Sequence, residues 1–163
     1  MIVAVISDTH LPRGARRIPD ACLSRLRDAD LILHAGDVVA ESVLDELEVL
    51  GPPVHAVHGN MDELVVHERL PPTLVVEAGS TRIGMTHDPG PRAGREERLA
   101  ARFPGCAAVV YGHTHLPHVG RAGDVWILNP GSPTERRGAP SHTMLVLDIA
   151  GDGTIRPVLI ELP

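Results

Sequence analysis

The chain has 163 residues, 43% of them hydrophobic, and a formal net charge of −6, which is the composition of one globular domain spanning 1–163. The acidic balance and the 2% aromatic content exclude a general nucleic-acid binder, which needs a basic surface or stacking rings. All 15 basic residues are Arg, so no mechanism can rest on a Schiff-base Lys or a phosphate-loop Lys.

The elements follow as short apolar runs, each closed by polar residues. Met1 to Ile6 reads as a buried strand that stops at Ser7-Asp8-Thr9-His10. Ile18 to Ala29 has helical spacing. Leu31 to Leu33 is a second strand, ending at His34-Ala35-Gly36-Asp37. Glu41 to Leu50 is an amphipathic helix stopped by Gly51-Pro52. Val54 to Val57 is a third strand, running into His58-Gly59-Asn60, and Asp62 and Glu63 open a helix whose dipole they favour. Leu74 to Glu77 and Arg82 to Met85 form a hairpin whose second arm enters Thr86-His87. Arg92 to Phe103 reads as a helix, and Ala107 to Val110 as a strand ending at Gly112-His113-Thr114-His115. Val125 to Leu128 ends at Asn129-Pro130-Gly131-Ser132. Thr143 to Ile149 and Thr154 to Leu159 close the chain as a hairpin. Alternating strands and helices with later hairpins predict an α/β fold of two packed sheets with helices outside.

Six strands thus end in polar clusters, and both of the chain's Asn residues, Asn60 and Asn129, lie in them. In α/β folds the ligand crevice lies outside the carboxyl ends of the strands. Asp, His and Asn side chains there suit Mn²⁺, Fe²⁺, Zn²⁺ or Ni²⁺. Asp8, His10, Asp37, Asn60, His87, His113 and His115 are too many ligands for one ion but suit two. The i, i+2 spacing of Asp8/His10 and His113/His115 predicts that each pair points one way at a strand end. Cys22 and Cys106 are too few and too far apart for a disulfide scaffold or a thiolate site. The chain opens on an apolar strand without a basic leader, and no apolar run approaches the ~18 residues of a membrane span. A cytoplasmic protein with no membrane partner is therefore expected.

Asp8-x-His10, Gly36-Asp37, Gly59-Asn60-x-Asp62, His87 and Gly112-His113-x-His115, in this order, resemble the calcineurin-like metallophosphoesterases, in particular their small single-domain bacterial and archaeal phosphodiesterases. The resemblance implies a four-layer α/β/β/α sandwich of two mixed sheets. It implies one metal on Asp8, His10, Asp37 and His115 and a second on Asp37, Asn60, His87 and His113, with Asp37 bridging. It also implies two divalent transition ions, Mn²⁺ favoured over Zn²⁺, Fe²⁺ or Ni²⁺, and a phosphate diester hydrolysed by attack of a metal-bound hydroxide. A small-molecule phosphate ester is then the expected partner, with self-association into a homo-oligomer left open. The same fold also admits a protein-binding scaffold, a phosphomonoesterase or a dinucleoside-polyphosphate hydrolase as rival readings.

The chain departs from the family pattern after Gly59-Asn60. A His there can protonate the leaving group, but this chain has Met61, which cannot donate a proton. His58 and Asp62 are the replacement candidates. After His87 the run Asp88-Pro89-Gly90 predicts a short, rigid loop. His34 is expected to pack behind the site, and Asn129 to Pro133 to build a supporting turn. Arg136 and Arg137 read as a solvated pair, and His55, His67, His118 and His142 as structural or surface residues.

Overall fold

The computed structural model describes residues 1–13 and 16–163. Two five-stranded sheets pack face to face. The first contains β1 (Ile2–Ile6), β2 (Leu31–His34), β3 (Val54–Ala56), β9 (His142–Ile149) and β10 (Ile155–Leu162), in the order β10-β9-β1-β2-β3. The second contains β4 (Thr73–Ala78), β5 (Thr81–Thr86), β6 (Ala108–Val110), β7 (His118–Ala122) and β8 (Val125–Asn129), in the order β4-β5-β6-β8-β7. In each sheet three strands run parallel: β1, β2 and β3 in one, β5, β6 and β8 in the other. The remaining strands pair antiparallel at the flanks.

The period-2 alternation of a strand decides which layer each residue joins. In β1, Val3 and Val5 face the second sheet, where they meet Ile83, Met85, Val110 and Leu128. Ala4 and Ile6 face the opposite way, against Cys22 and Leu26 of α1 (Asp20–Arg27) and Leu44 and Leu47 of α2 (Glu41–Glu48). Both faces are therefore apolar, and β1 reads as a continuous hydrophobic run, as a strand covered on two sides must. Beyond the second sheet, Leu99 of α4 (Arg95–Arg102) and Phe103 pack on Val109 and Ile127. These packings make four layers, helix, sheet, sheet, helix, as expected.

Two elements differ from the sequence reading. β7 forms at His118–Ala122, where alternating polar and small residues gave no apolar run; it is held by backbone pairing to β8 at the sheet edge. The helix after Asp62 is α3, only Leu64–Arg69, and Leu64 is 74% exposed. It is held by buried Val66 and by Arg69, whose guanidinium meets Glu41, Asp45 and Glu48 of α2.

Candidate metal centre

The parallel strands of both sheets deliver the polar residues from their carboxyl ends. Asp8 and His10 follow β1, Asp37 follows β2, Asn60 follows β3, His87 follows β5, and His113 and His115 follow β6. Five of these seven have left-handed backbone: Asp8, His10, Asp37, His113 and His115, with φ between 50° and 69°. Such conformations are costly for residues with a Cβ and cluster at functional sites. They also revise the expected geometry. The i, i+2 pairs lie past the strands, so left-handed turns aim them rather than strand pleat.

Asp8, His10 and His115 form one group, with side chains fully buried. His10 Nε2 lies 3.2 Å from His115 Nε2, and His115 Nε2 lies 3.4 Å from Asp8 Oδ1. The two imidazoles stack with centroids 5.0 Å apart. Asp8, Asp37 and His87 form a second group. Asp37 spans the two: its Oδ2 is 3.4 Å from His10 Nε2, and its Oδ1 is 3.4 Å from His87 Nε2. At the outer rim, exposed His113 and Asn60 meet through Nδ1 and Oδ1 at 3.0 Å.

Hydrogen bonds on the far side of the rings set which nitrogen is free, and here they leave lone pairs converging. His87 Nδ1 donates to the Ala35 carbonyl at 2.8 Å, so its Nε2 is bare, buried and without a hydrogen-bond partner. That bare nitrogen faces the Asp37 carboxylate. His115 Nδ1 likewise donates to the Glu135 carbonyl, leaving Nε2 toward Asp8. Acceptors aimed at one another repel unless a positive charge lies between them, so the donor set fits divalent cations. The two thiols cannot contribute, because Cys22 and Cys106 are packed in the helix–sheet layers.

The carboxylates are tuned in opposite directions. Burial pushes the Asp8 carboxyl up to about 7, although the His87 charge, the Ser7 hydroxyl and the His113 amide oppose the rise. Burial acts on Asp37 as well. The His87 imidazole that faces it, the Met61 amide and His10 outweigh it and bring Asp37 down to about 2. His10 is lowered to about 4 by burial, against the pull of Asp37 and Glu135. Burial also opposes charge on His87, but Asp37 and Asp8 overcome it and raise that group. Neutral imidazole on His10 and ionised carboxylate on Asp37 are the forms that bind metal.

Glycines in the sequence blocks make room for side chains of other blocks. A Cβ on Gly59 would overlap the Asp37 carboxylate and amide. A Cβ on Gly112 would overlap Ser7 Oγ and the Asp8 carboxylate. Around these contacts the Asn129 segment braces two loops at once. Asn129 Nδ2 donates to the Gly112 carbonyl and Thr114 Oγ1, and Ser132 Oγ donates to the Asp8 carbonyl at 2.8 Å. His34 is buried behind the site, where its Nδ1 accepts from the Gly36 amide and its Nε2 pairs with Thr9 Oγ1.

The two replacement proton donors occupy different surroundings. Asp62 Oδ1 accepts from the Val39 amide at 2.6 Å and Oδ2 from the Gly59 amide at 2.7 Å, so both oxygens anchor the Gly59-Asn60 turn. His58 instead lines a cavity of about 570 Å³ beside Asn60, His87 and His113. His67 lies against it, with ring centroids 4.0 Å apart, so His67 belongs to the cavity wall as well as to α3. Arg136 Nη1 is held by the Ala139 and Pro140 carbonyls. Glu135 escaped the sequence reading. Its Oε2 is 3.8 Å from His10 Nε2 and 3.2 Å from Arg16, and only the return of the loop after β8 brings it there.

This centre, with two groups of potential metal ligands at the rim of a two-sheet sandwich, has features consistent with a metal-dependent phosphoesterase active site. The family model of the calcineurin-like phosphoesterase superfamily domain matches residues 1–152, and the chain belongs to that superfamily. A probable metallophosphoesterase of Methanothermobacter thermautotrophicus is 40% identical over 154 residues, which cover 93% of this chain and 88% of that protein. A probable metallophosphoesterase of Methanocaldococcus jannaschii is 38% identical, over 91% of this chain and 76% of that protein. Among solved structures, wild-type Vps29 from Entamoeba histolytica complexed with Zn²⁺ superimposes with a TM-score of 0.77 at 27% identity, over 99% of each chain. Protein TM1076 of Thermotoga maritima gives a TM-score of 0.76 at 33% identity, again over 99% of each.

Proposed function

We propose that the chain is a phosphodiesterase that works with two divalent transition-metal ions, Mn²⁺ foremost. Asp8, His10, Asp37 and His115 would hold one ion, and Asp37, Asn60, His87 and His113 the other. The observation that carries this reading is Asp37, whose two oxygens each face a different histidine, His10 and His87, at 3.4 Å. Two cations in such a centre supply Lewis-acid activation of water and neutralise charge on the phosphoryl group.

The protein's own part is positioning. The Met61 amide fixes Asp37 Oδ1 at 2.8 Å, and Ser7 fixes Asp8 Oδ2 at 2.7 Å, so neither carboxylate must reorganise when charge develops. The cavity beside Asn60, His87 and His113 has room for a second ester substituent, which favours a diester over a monoester. His58 lines that cavity, whereas both Asp62 oxygens are engaged by backbone amides, so His58 is the better-placed proton source. Burial and the neighbouring His67 lower its pKa, however, which disfavours the protonated form that could donate. With Met61 unable to donate a proton and His58 shifted this way, we infer that the leaving group departs mainly as an anion.

The test is metal dependence. Exhaustive chelation should abolish hydrolysis of bis(p-nitrophenyl) phosphate, and Mn²⁺ should restore it better than Mg²⁺, because imidazole-rich sites suit transition metals. Full activity in a metal-free sample would overturn the proposal.

A further inference from the structure

We infer that the cavity beside the second half of the centre is a substrate pocket for a phosphodiester whose ring-bearing substituent carries a second anionic group, which Arg102 receives. The inference rests on the phosphodiesterase reading and names its substrate class.

The cavity joins the centre on one side only. Asn60, His87 and His113 line it, whereas Asp8, His10 and His115 do not. A diester bound at the centre therefore has this space available next to the second half-site. The walls are suited to a flat ring. Pro72, Pro89 and Leu99 contribute apolar surface, and His58 and His67 contribute imidazole rings packed at 4.0 Å.

The charge in the pocket is the more specific signal. Arg98 and Arg102 of α4 both line it. Neither has a carboxylate partner among the described residues, so both bring their charge to the cavity unneutralised. The pocket's own acid, Asp88, accepts from the Gly90 amide through Oδ1 at 2.7 Å. The two arginines then divide their roles. Arg98 Nη1 binds the Ala93 and Gly94 carbonyls, and its Nη2 binds the Pro89 and Pro91 carbonyls. Arg98 thus holds the loop after His87 in shape. Arg102, exposed at the end of α4 with its guanidinium 5.7 Å from the Phe103 ring centroid, makes one side-chain hydrogen bond, from Nη1 to Thr86 Oγ1 at 3.2 Å, and its other donors have no hydrogen-bond partner among the described residues. Thr86 immediately precedes His87, so this guanidinium is tethered one residue from the centre with donors to offer. A guanidinium in that state recognises phosphate or carboxylate by charge-assisted, bidentate hydrogen bonds.

Two chromogenic diesters separate the second anion from everything else: thymidine 5′-(p-nitrophenyl phosphate), and the same ester with a 3′-phosphate. Ring, scissile bond and leaving group are identical. On the Mn²⁺-loaded protein, kcat/KM should favour the 3′-phosphorylated ester by about tenfold, equal to about 1.4 kcal/mol. The preference should shrink as salt is raised. Arg102→Met should bring the two esters to parity, and Arg102→Lys should keep part of the preference. Parity in the unmodified protein, or an undiminished preference in Arg102→Met, would overturn the inference.

Binding is measured separately by titration calorimetry with thymidine 3′,5′-bisphosphate and thymidine 5′-monophosphate. Tighter, Arg102-dependent binding of the bisphosphate without hydrolysis of either ester would leave the pocket standing and remove the phosphodiesterase reading. Hydrolysis of both esters with no discrimination in rate or binding would do the reverse.

Discussion

The two halves of the centre differ in how they meet water. Asp8, His10 and His115 are 0% exposed, each in left-handed backbone, and the Ser132 and Glu135 loop closes over them. Asn60 and His113 lie exposed at the mouth of the cavity, and His87, 3% exposed, is the buried histidine of that half. Asp37 belongs to both. One half is thus built like a core, where geometry is enforced by packing, and the other like a binding site, where contents can exchange. A rigid half next to an open one is what a centre needs in order to hold fixed charge yet admit an ester.

The most severe way to break the contrast is Asp37→Asn. It removes the carboxylate that faces both halves, so both metals should weaken and activity should fall on the order of 10³-fold, the scale of losing a main electrostatic anchor. Metal content by mass spectrometry and rates on bis(p-nitrophenyl) phosphate check it, and two tightly bound ions with normal rates would contradict the bridging role. Met61→His adds a donor to the open half. Alkyl esters should gain up to ~10²-fold while nitrophenyl esters gain little, and the steep dependence on leaving-group pKa should flatten. If the unmodified protein already shows a flat dependence, another residue supplies the proton, and His58→Ala is the next variant to measure.

A gentler contrast comes from removing one ligand on each side. Asn60→Ala should weaken a single ion about tenfold and leave the melting temperature of the chelated protein unchanged. His115→Ala should weaken the other ion and also destabilise the chelated fold, because it empties a buried site. Equal melting temperatures for the two would erase the distinction between core-like and open halves.

The smallest expected effect is acid lability of the metal-free protein. His10 is held to about 4 and His34 to about 3, chiefly by burial, and burial also lowers His115 and His58. Below an ordinary value near 6.5 the unfolded chain therefore binds protons that the folded chain refuses, so stability rises with pH from about 4 to 6.5. Asp8, raised to about 7, and Asp62, also raised, act the other way, because the folded state keeps protons that the unfolded state has lost. His10 and His34 refuse two protons over this range while Asp8 keeps one, so the net is a rise. Thermal unfolding in chelator across that range should show it, and His34→Gln should make the rise shallower. A profile flat from pH 4 to 6.5 would contradict the burial of these rings in neutral form.

Much of this architecture was legible from local chemistry. Continuous apolar runs identified the inner strands, because a strand covered on both sides must be apolar throughout. The blocks Asp8-x-His10, Gly36-Asp37, Gly59-Asn60 and Gly112-His113-x-His115 were legible because Asp, His and Asn gathered after strands have few roles other than ligation. β7 was not, since backbone pairing to β8 creates it and its side chains are mixed. His67 read as a structural or surface residue because its partner His58 is nine positions away and meets it only in the fold.

The chain's own order of residues decided which elements form, which side chains lie at their carboxyl ends, and that no sulfur or Lys chemistry is available. Only the tertiary structure decided how those ends divide. Parallel pairing within each sheet brings six loops from two sheets to one rim. Left-handed turns then aim the ligands, and Gly59 and Gly112 let one loop press against the carboxylate of another. Burial and cavity follow from the same packing, so Asp8 rises and Asp37 falls although both are aspartates on similar turns. Residue type records what a side chain can bind; its ionisation, its free donors and its access to substrate depend on neighbours that the sequence keeps far apart.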